Sequence, residues 1–127
     1  MADERHAKLL AWGPVALWMA AQLTATSLPG SALPSVAFGI DDIAHFGMYG
    51  GLAVLVWRGT AQTGRTWRPL AVLAALSLFG MLDELHQLFI PGRSCSAVDW
   101  LADTIGAAVG LWAGPLLLRT RWLGWLK

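Results

Sequence analysis

The sequence predicts an all-α fold, a four-transmembrane-helix bundle forming one domain over residues 1–127 with both termini cytoplasmic. Three observations predict it: a greasy composition, four apolar runs of spanning length, and a separation of basic from acidic residues between the connecting segments. Hydrophobic residues make up 56% of the chain and charged residues only 13%, where a soluble domain carries about a quarter charged. Net charge is +1 and the basic residues are divided among three segments, so no basic patch for nucleic acid forms and none is expected as a partner. The single cysteine, Cys95, rules out an intramolecular disulfide.

The first span is expected over 9–28. Arg5 and Lys8 precede it as in a signal peptide, but the run reaches about 20 residues and lacks an A-x-A site, so it reads as a retained helix. Pro29 and Pro34 break the chain after it. The second span, 42–58, is short and carries Asp42 and His45 at its outer end. Gly64 marks the next turn, and Pro69 suits the first turn of a third span over 69–89. Pro91 and Gly92 then turn the chain into a fourth span over 97–118, where Ala102, Gly106, Gly110 and Gly114 form a small-residue stripe for close helix packing. The stripe leaves open whether its partner is another span or a second copy of the chain.

Arg5, Lys8, Arg58, Arg65, Arg68, Arg119, Arg121 and Lys127 fall on one side of these spans, which the positive-inside rule makes cytoplasmic. Trp12, Trp57, Trp67, Trp122 and Trp125 sit near that boundary, and Trp100 near the outer one. Asp41, Asp42, Asp83, Glu84, Asp99 and Asp103 gather on the other side with His45, His86, Gln87 and Arg93.

Rising about 1.5 Å per residue from Arg68, the third span reaches Asp83 and Glu84 roughly 22–24 Å up, still inside a hydrocarbon core of about 30 Å. Spans two and four descend from outside, so His45 and Asp103 each lie about one turn below their outer acids. Asp42, His45 and Tyr49 share one helix face, Glu84 and Gln87 a second, and Asp99, Asp103 and Gly106 a third. Charge at membrane depth is costly and turns toward a bundle interior, so these faces are expected to line one cavity.

Structural roles compete at several positions. Asp41 and Asp42 suit the cap of helix two, and Ser96-Ala97-Val98-Asp99 matches a capping box. His45 and Tyr49 suit buried, hydrogen-bonded packing. Glu84 and Asp103 lie beyond any cap. Arg93, between a Pro-Gly turn and the start of helix four, suits either a phosphate or carboxylate ligand or an ion pair with a neighbouring acid.

Two motifs carry a family resemblance. Asp41-Asp42-Ile43-Ala44-His45-Phe46-Gly47-Met48-Tyr49 is similar to D-K-x-x-H-F-x-x-Y, and the stretch from Asp83 to Gly110 is similar to E-x-x-Q-x-F-x-P-x-R-x-x-x-x-x-D-x-x-x-N-x-x-G. Both are patterns of the VanZ-like family, small bacterial membrane proteins named for a teicoplanin resistance factor, which this chain resembles over spans two to four. The resemblance implies four spans in a bacterial inner membrane and places His45, Phe46, Tyr49, Glu84, Gln87, Phe89, Pro91, Arg93, Asp99 and Gly106 at motif positions. Asp42 stands where Lys is frequent and Asp103 where Asn is frequent, which makes this cavity more acidic than the pattern. Protonated carboxyls or a divalent cation would offset that acidity; the pattern itself predicts no metal and leaves any cofactor unknown.

Three functions compete. The first is action on a lipid-linked or cell-envelope substrate in the outer leaflet, with Glu84, His45, Asp99 and Asp103 as the catalytic candidates. Arg93, Gln87, Tyr49, Ser94, Asp42 and Asp83 would bind that substrate. No recognised phosphatase, acyltransferase or metalloprotease motif accompanies them. The second is a lipid- or glycopeptide-binding shield that confers envelope or antibiotic tolerance without chemistry. The third, a transporter or scramblase, is disfavoured because the inner halves of spans one, three and four are nearly free of ionisable groups. The expected partners are membrane lipids or a lipid-linked envelope precursor; homo-oligomerisation is left open.

Overall fold

The computed structural model describes residues 2–34 and 39–117. Its helices are α1 (Ala2–Thr26), α2 (Ile40–Gln62), α3 (Pro69–Gln87) and α4 (Ala97–Leu117), with a 3-10 turn at Gly30–Ala32 and no strand among the described residues. Arg119, Arg121, Trp122, Trp125 and Lys127 lie outside the described residues. Three helices, α1 (from Asp3), α3 and α4, are long and apolar enough to cross a membrane. α2 has the length, at 23 residues, but not the apolarity. Its composition follows from its place: it buries His45, Tyr49, Gly59 and Thr60 and makes its most extensive contact with α4 and a further one with α1.

Glycines permit that placement. A methyl group at Gly106 would collide with the Phe46 carbonyl, and one at Gly110 with the Gly50 carbonyl. The small-residue stripe of α4 therefore has its partner inside the chain. On the opposite face, a methyl at Gly51 would stand 2.7 Å from the Trp18 ring, and Trp18 Nε1 donates to the Met48 carbonyl at 2.9 Å. α1 continues through Pro14, which has no N–H for the Leu10 carbonyl; Arg58 Nη1 from α2 donates to that carbonyl at 3.3 Å. A residue that breaks one helix's ladder thus creates a tie to its neighbour.

The distribution of polarity is inverted relative to a soluble protein. Gln22, Thr26, His45, Asp83, Glu84, Gln87, Asp99 and Asp103 are buried, whereas Leu17, Leu70, Ile105 and Trp112 are exposed. An apolar core of Val15, Tyr49, Leu52, Ala53, Leu76, Ala107 and Leu111 fills the middle. Lys8, Trp12, Thr63 and Arg65 share one recess at the end where α2 finishes, and the buried acids lie at the other end. Trp100 differs from its expected role as an outer-boundary anchor. Its Nε1 turns inward and donates to the Ser77 carbonyl of α3 at 3.0 Å, because a carbonyl in the bundle gives the indole N–H a partner that lipid lacks.

Candidate functional site

The acidic end is built where four helix ends and two loops meet. The loops after α1 and α3 latch together: Gly30 N donates to the Pro91 carbonyl at 2.9 Å, and a side chain at Gly30 would collide with the Gly92 carbonyl. Gly92 itself takes φ +74°, a left-handed turn that glycine adopts without steric cost. This turn delivers Arg93 to the mouth of a cavity of ≈ 410 Å³, lined by Gly30, Leu33, Pro34, Ile40, Asp41, Ala44, Gln87, Gly92, Arg93, Ser94 and Asp99. Arg93 makes no ion pair within 4.0 Å among the described residues. Leu33, Pro34, Ile40 and Ala44 give the cavity an apolar stretch of wall, and Asp41, Gln87, Arg93, Ser94 and Asp99 its polar groups.

Beneath the cavity floor lies His45. Its Nδ1 donates to Asp103 Oδ1 at 2.9 Å and stands 3.9 Å from Glu84 Oε1, with all three side chains at most 2% exposed. One ring nitrogen of His45 also lies within 4.8 Å of carboxylate oxygens of Asp41 and Asp99, two residues of the cavity wall. The imidazole thus stands between the buried carboxylates and those facing the opening. An imidazole oriented by a carboxylate is the arrangement that transfers protons to or from a bound group. The same trio, His45, Glu84 and Asp103, is close enough to hold a metal ion.

Glu84 has a second function in the architecture. The capping box at Ser96 is half formed: Asp99 N donates to Ser96 Oγ at 3.2 Å. Ser96 N, however, donates to Glu84 Oε2 at 2.8 Å, so a carboxylate from α3 replaces the box's own acid. Asp99 is thereby left to face Asp42 and the cavity. The expected cap of α2 by Asp41 or Asp42 does not form, because Gly39 occupies the cap position without a side-chain bond and both acids lie in the first turn.

The structure divides the expected site residues into three levels. Arg93, Gln87, Ser94 and Asp99 line the cavity, with Asp42 beside Asp99. His45, Glu84 and Asp103 lie below it. Tyr49 and Asp83 lie deeper and are fully or nearly fully buried. His86 is exposed and pairs with Ser27 Oγ at 3.1 Å. The sequence reading missed α1 altogether: Thr26 Oγ1 donates to Asp83 Oδ1 at 2.8 Å, and Gln22, one turn below, is 2% exposed. The signal was the four-residue spacing of Gln22 and Thr26, which puts both on one face of a half-helix whose only other polar residue is Thr24.

A helical bundle with an apolar exterior and a polar interior gathered at one end is a membrane protein. Residues 6–118 match the family model described as VanZ/LLP1, and the chain belongs to that family. Comparison with curated proteins and with solved structures gave no match.

Proposed function

We propose that this VanZ/LLP1-family protein acts on a lipid-linked or cell-envelope substrate in the outer leaflet of the bacterial cytoplasmic membrane, with four spans, both termini inside and the cavity facing out. One observation carries the reading: the cavity holding Arg93 shares Asp41 and Asp99 with the surroundings of the buried His45. An anionic head group held by Arg93, Gln87 and Ser94 would rest directly above an imidazole backed by Asp103 and Glu84. Its acyl chains would leave over the apolar wall of Leu33, Pro34, Ile40 and Ala44. Arg93 suits this role because it brings an unspent positive charge to an acidic mouth. In this reading His45, Glu84, Asp99 and Asp103 exchange protons with the bound head group.

The test is reconstitution of the purified chain in vesicles of bacterial lipid supplemented with lipid-linked envelope precursors, with products followed by mass spectrometry. Wild type is expected to convert one head-group class. Glu84→Gln, which keeps an acceptor for Ser96 N, should lose conversion while folding normally. Arg93→Ala should raise KM by about tenfold, in keeping with the loss of a charge-assisted contact. Conversion by Glu84→Gln equal to wild type on every lipid would remove the catalytic reading and leave head-group binding as the function.

A further inference from the structure

The inner end of the polar centre holds a second group of side-chain atoms, of which the proposed chemistry uses only Asp103, and that through its other oxygen, Oδ1. Gln22 Oε1 and Nε2, Tyr49 Oη, Asp83 Oδ2 and Asp103 Oδ2 are all buried and none has a hydrogen-bond partner in good geometry, the nearest approach to one being between the Gln22 amide and the Tyr49 hydroxyl. Their side chains belong to residues no more than 2% exposed. Buried polar atoms are ordinarily partnered, and a cluster of them at one level of a bundle requires a physical reason.

Register places them together. Thr26 and Asp83 are bonded, so α1 and α3 are level at that point. Gln22 lies one turn below Thr26, and Gly80 about one turn below Asp83. At Gly80 the bare backbone admits two neighbours: a methyl there would stand 3.0 Å from Asp103 Oδ2 and 3.4 Å from the Tyr49 ring. Tyr49 is in turn held against Phe79, with ring centroids 5.9 Å apart. The unpartnered oxygens of all four helices thus converge on the level of Gly80, beneath the His45–Asp103 pair.

We propose that this inner cluster binds a hard cation, ligated by oxygens of Gln22, Tyr49, Asp83 and Asp103. The donor set contains two carboxylates, one amide oxygen and one phenol oxygen, with neither sulfur nor imidazole, which is the chemistry selected by sodium, calcium or magnesium over zinc or copper. The charge balance favours it as well. Asp83, Glu84, Asp99 and Asp103 are buried with His45 as the one buried basic side chain among the described residues, and unpaired buried carboxylates are strongly disfavoured. A cation between Asp83 and Asp103 supplies positive charge that the single imidazole of His45, already bonded to Asp103 Oδ1, cannot give to four buried acids. The inference goes beyond the envelope-substrate reading; the two share only Asp103, and the variants that test it, at Asp83 and Gln22, lie outside the proposed proton-exchanging group.

The test uses the full chain purified in detergent without lipid substrate. Thermal unfolding is measured in sodium, calcium or magnesium chloride against choline chloride at matched ionic strength, and uptake of the same salts is measured by calorimetry. One of the three cations is expected to raise Tm saturably and to show stoichiometric uptake, as binding to the folded state requires. Asp83→Asn and Gln22→Leu should each weaken that affinity by about tenfold or more, equivalent to ~1.4 kcal/mol. Gln22→Leu changes no charge, so its effect separates ligation from bulk electrostatics and carries the comparison if Asp83→Asn does not fold. Absence of uptake by wild type for all three cations, or equal affinity in wild type and the variants, would overturn the proposal. Either result leaves the head-group conversion assay unaffected.

Discussion

At the scale of single residues, three polar contacts at the acidic end each join two helices. Glu84 links α3 to the start of α4 through Ser96 N, His45 links α2 to α4 through Asp103, and Thr26 links α1 to α3 through Asp83. Trp100 does the same for α4 and α3 through the Ser77 carbonyl. Trp100→Phe keeps the ring and removes that donor, so thermal stability should fall by about 1 kcal/mol, the net worth of one such bond. Denaturation in detergent checks it, and an unchanged midpoint would show that the carbonyl finds another donor. The residues on α2, α3 and α4 were legible because ionisable side chains at membrane depth are costly and their spacing put His45, Glu84 and Asp103 on inward faces. Gln22 and Thr26 were not legible in the same way, since neutral polar side chains in an apolar run carry little penalty. Nor did any local pattern announce that Glu84 would take the place of Asp99 at the Ser96 cap, for that pairing spans twelve residues of turn and helix.

At the scale of elements, the pairing of α2 with α4 sets the geometry of the site. Backbone contact at Gly106 with Phe46, and at Gly110 with Gly50, holds the two helices close enough for His45 and Asp103 to meet. Gly106→Val would force these backbones apart. It should cost about 1–3 kcal/mol in stability, as overpacking does, and should abolish conversion by separating the imidazole from its carboxylate. A Gly106→Val protein with wild-type melting and activity would show that the pairing is looser than the structure has it. The stripe itself was visible in the sequence; its partner was not, because small residues record a close approach without recording what approaches. α2 was the least apolar of the expected spans for the same reason that it is central: His45, Tyr49, Gly59 and Thr60 are buried against other helices.

At the scale of the whole molecule, charge and polarity are sorted along the bundle. Lys8, Arg58 and Arg65 lie at the end where α1 begins and α2 finishes, while the buried acids and the Arg93 cavity lie at the other. The basic end supports a cytoplasmic assignment, which would turn the cavity outward to the envelope. The chain carries its own reporter of that orientation, since its single cysteine, Cys95, is exposed in the loop beside Arg93 and Ser94. Thr66, exposed in the loop between α2 and α3, marks the opposite end. Labelling with a membrane-impermeant maleimide in intact spheroplasts is the most direct test that the polar site opens outside the cell. Cys95 should react without lysis, and Thr66→Cys in a Cys95→Ser background should react only after permeabilisation. The reverse pattern would place the cavity in the cytoplasm and contradict action on an outer-leaflet substrate.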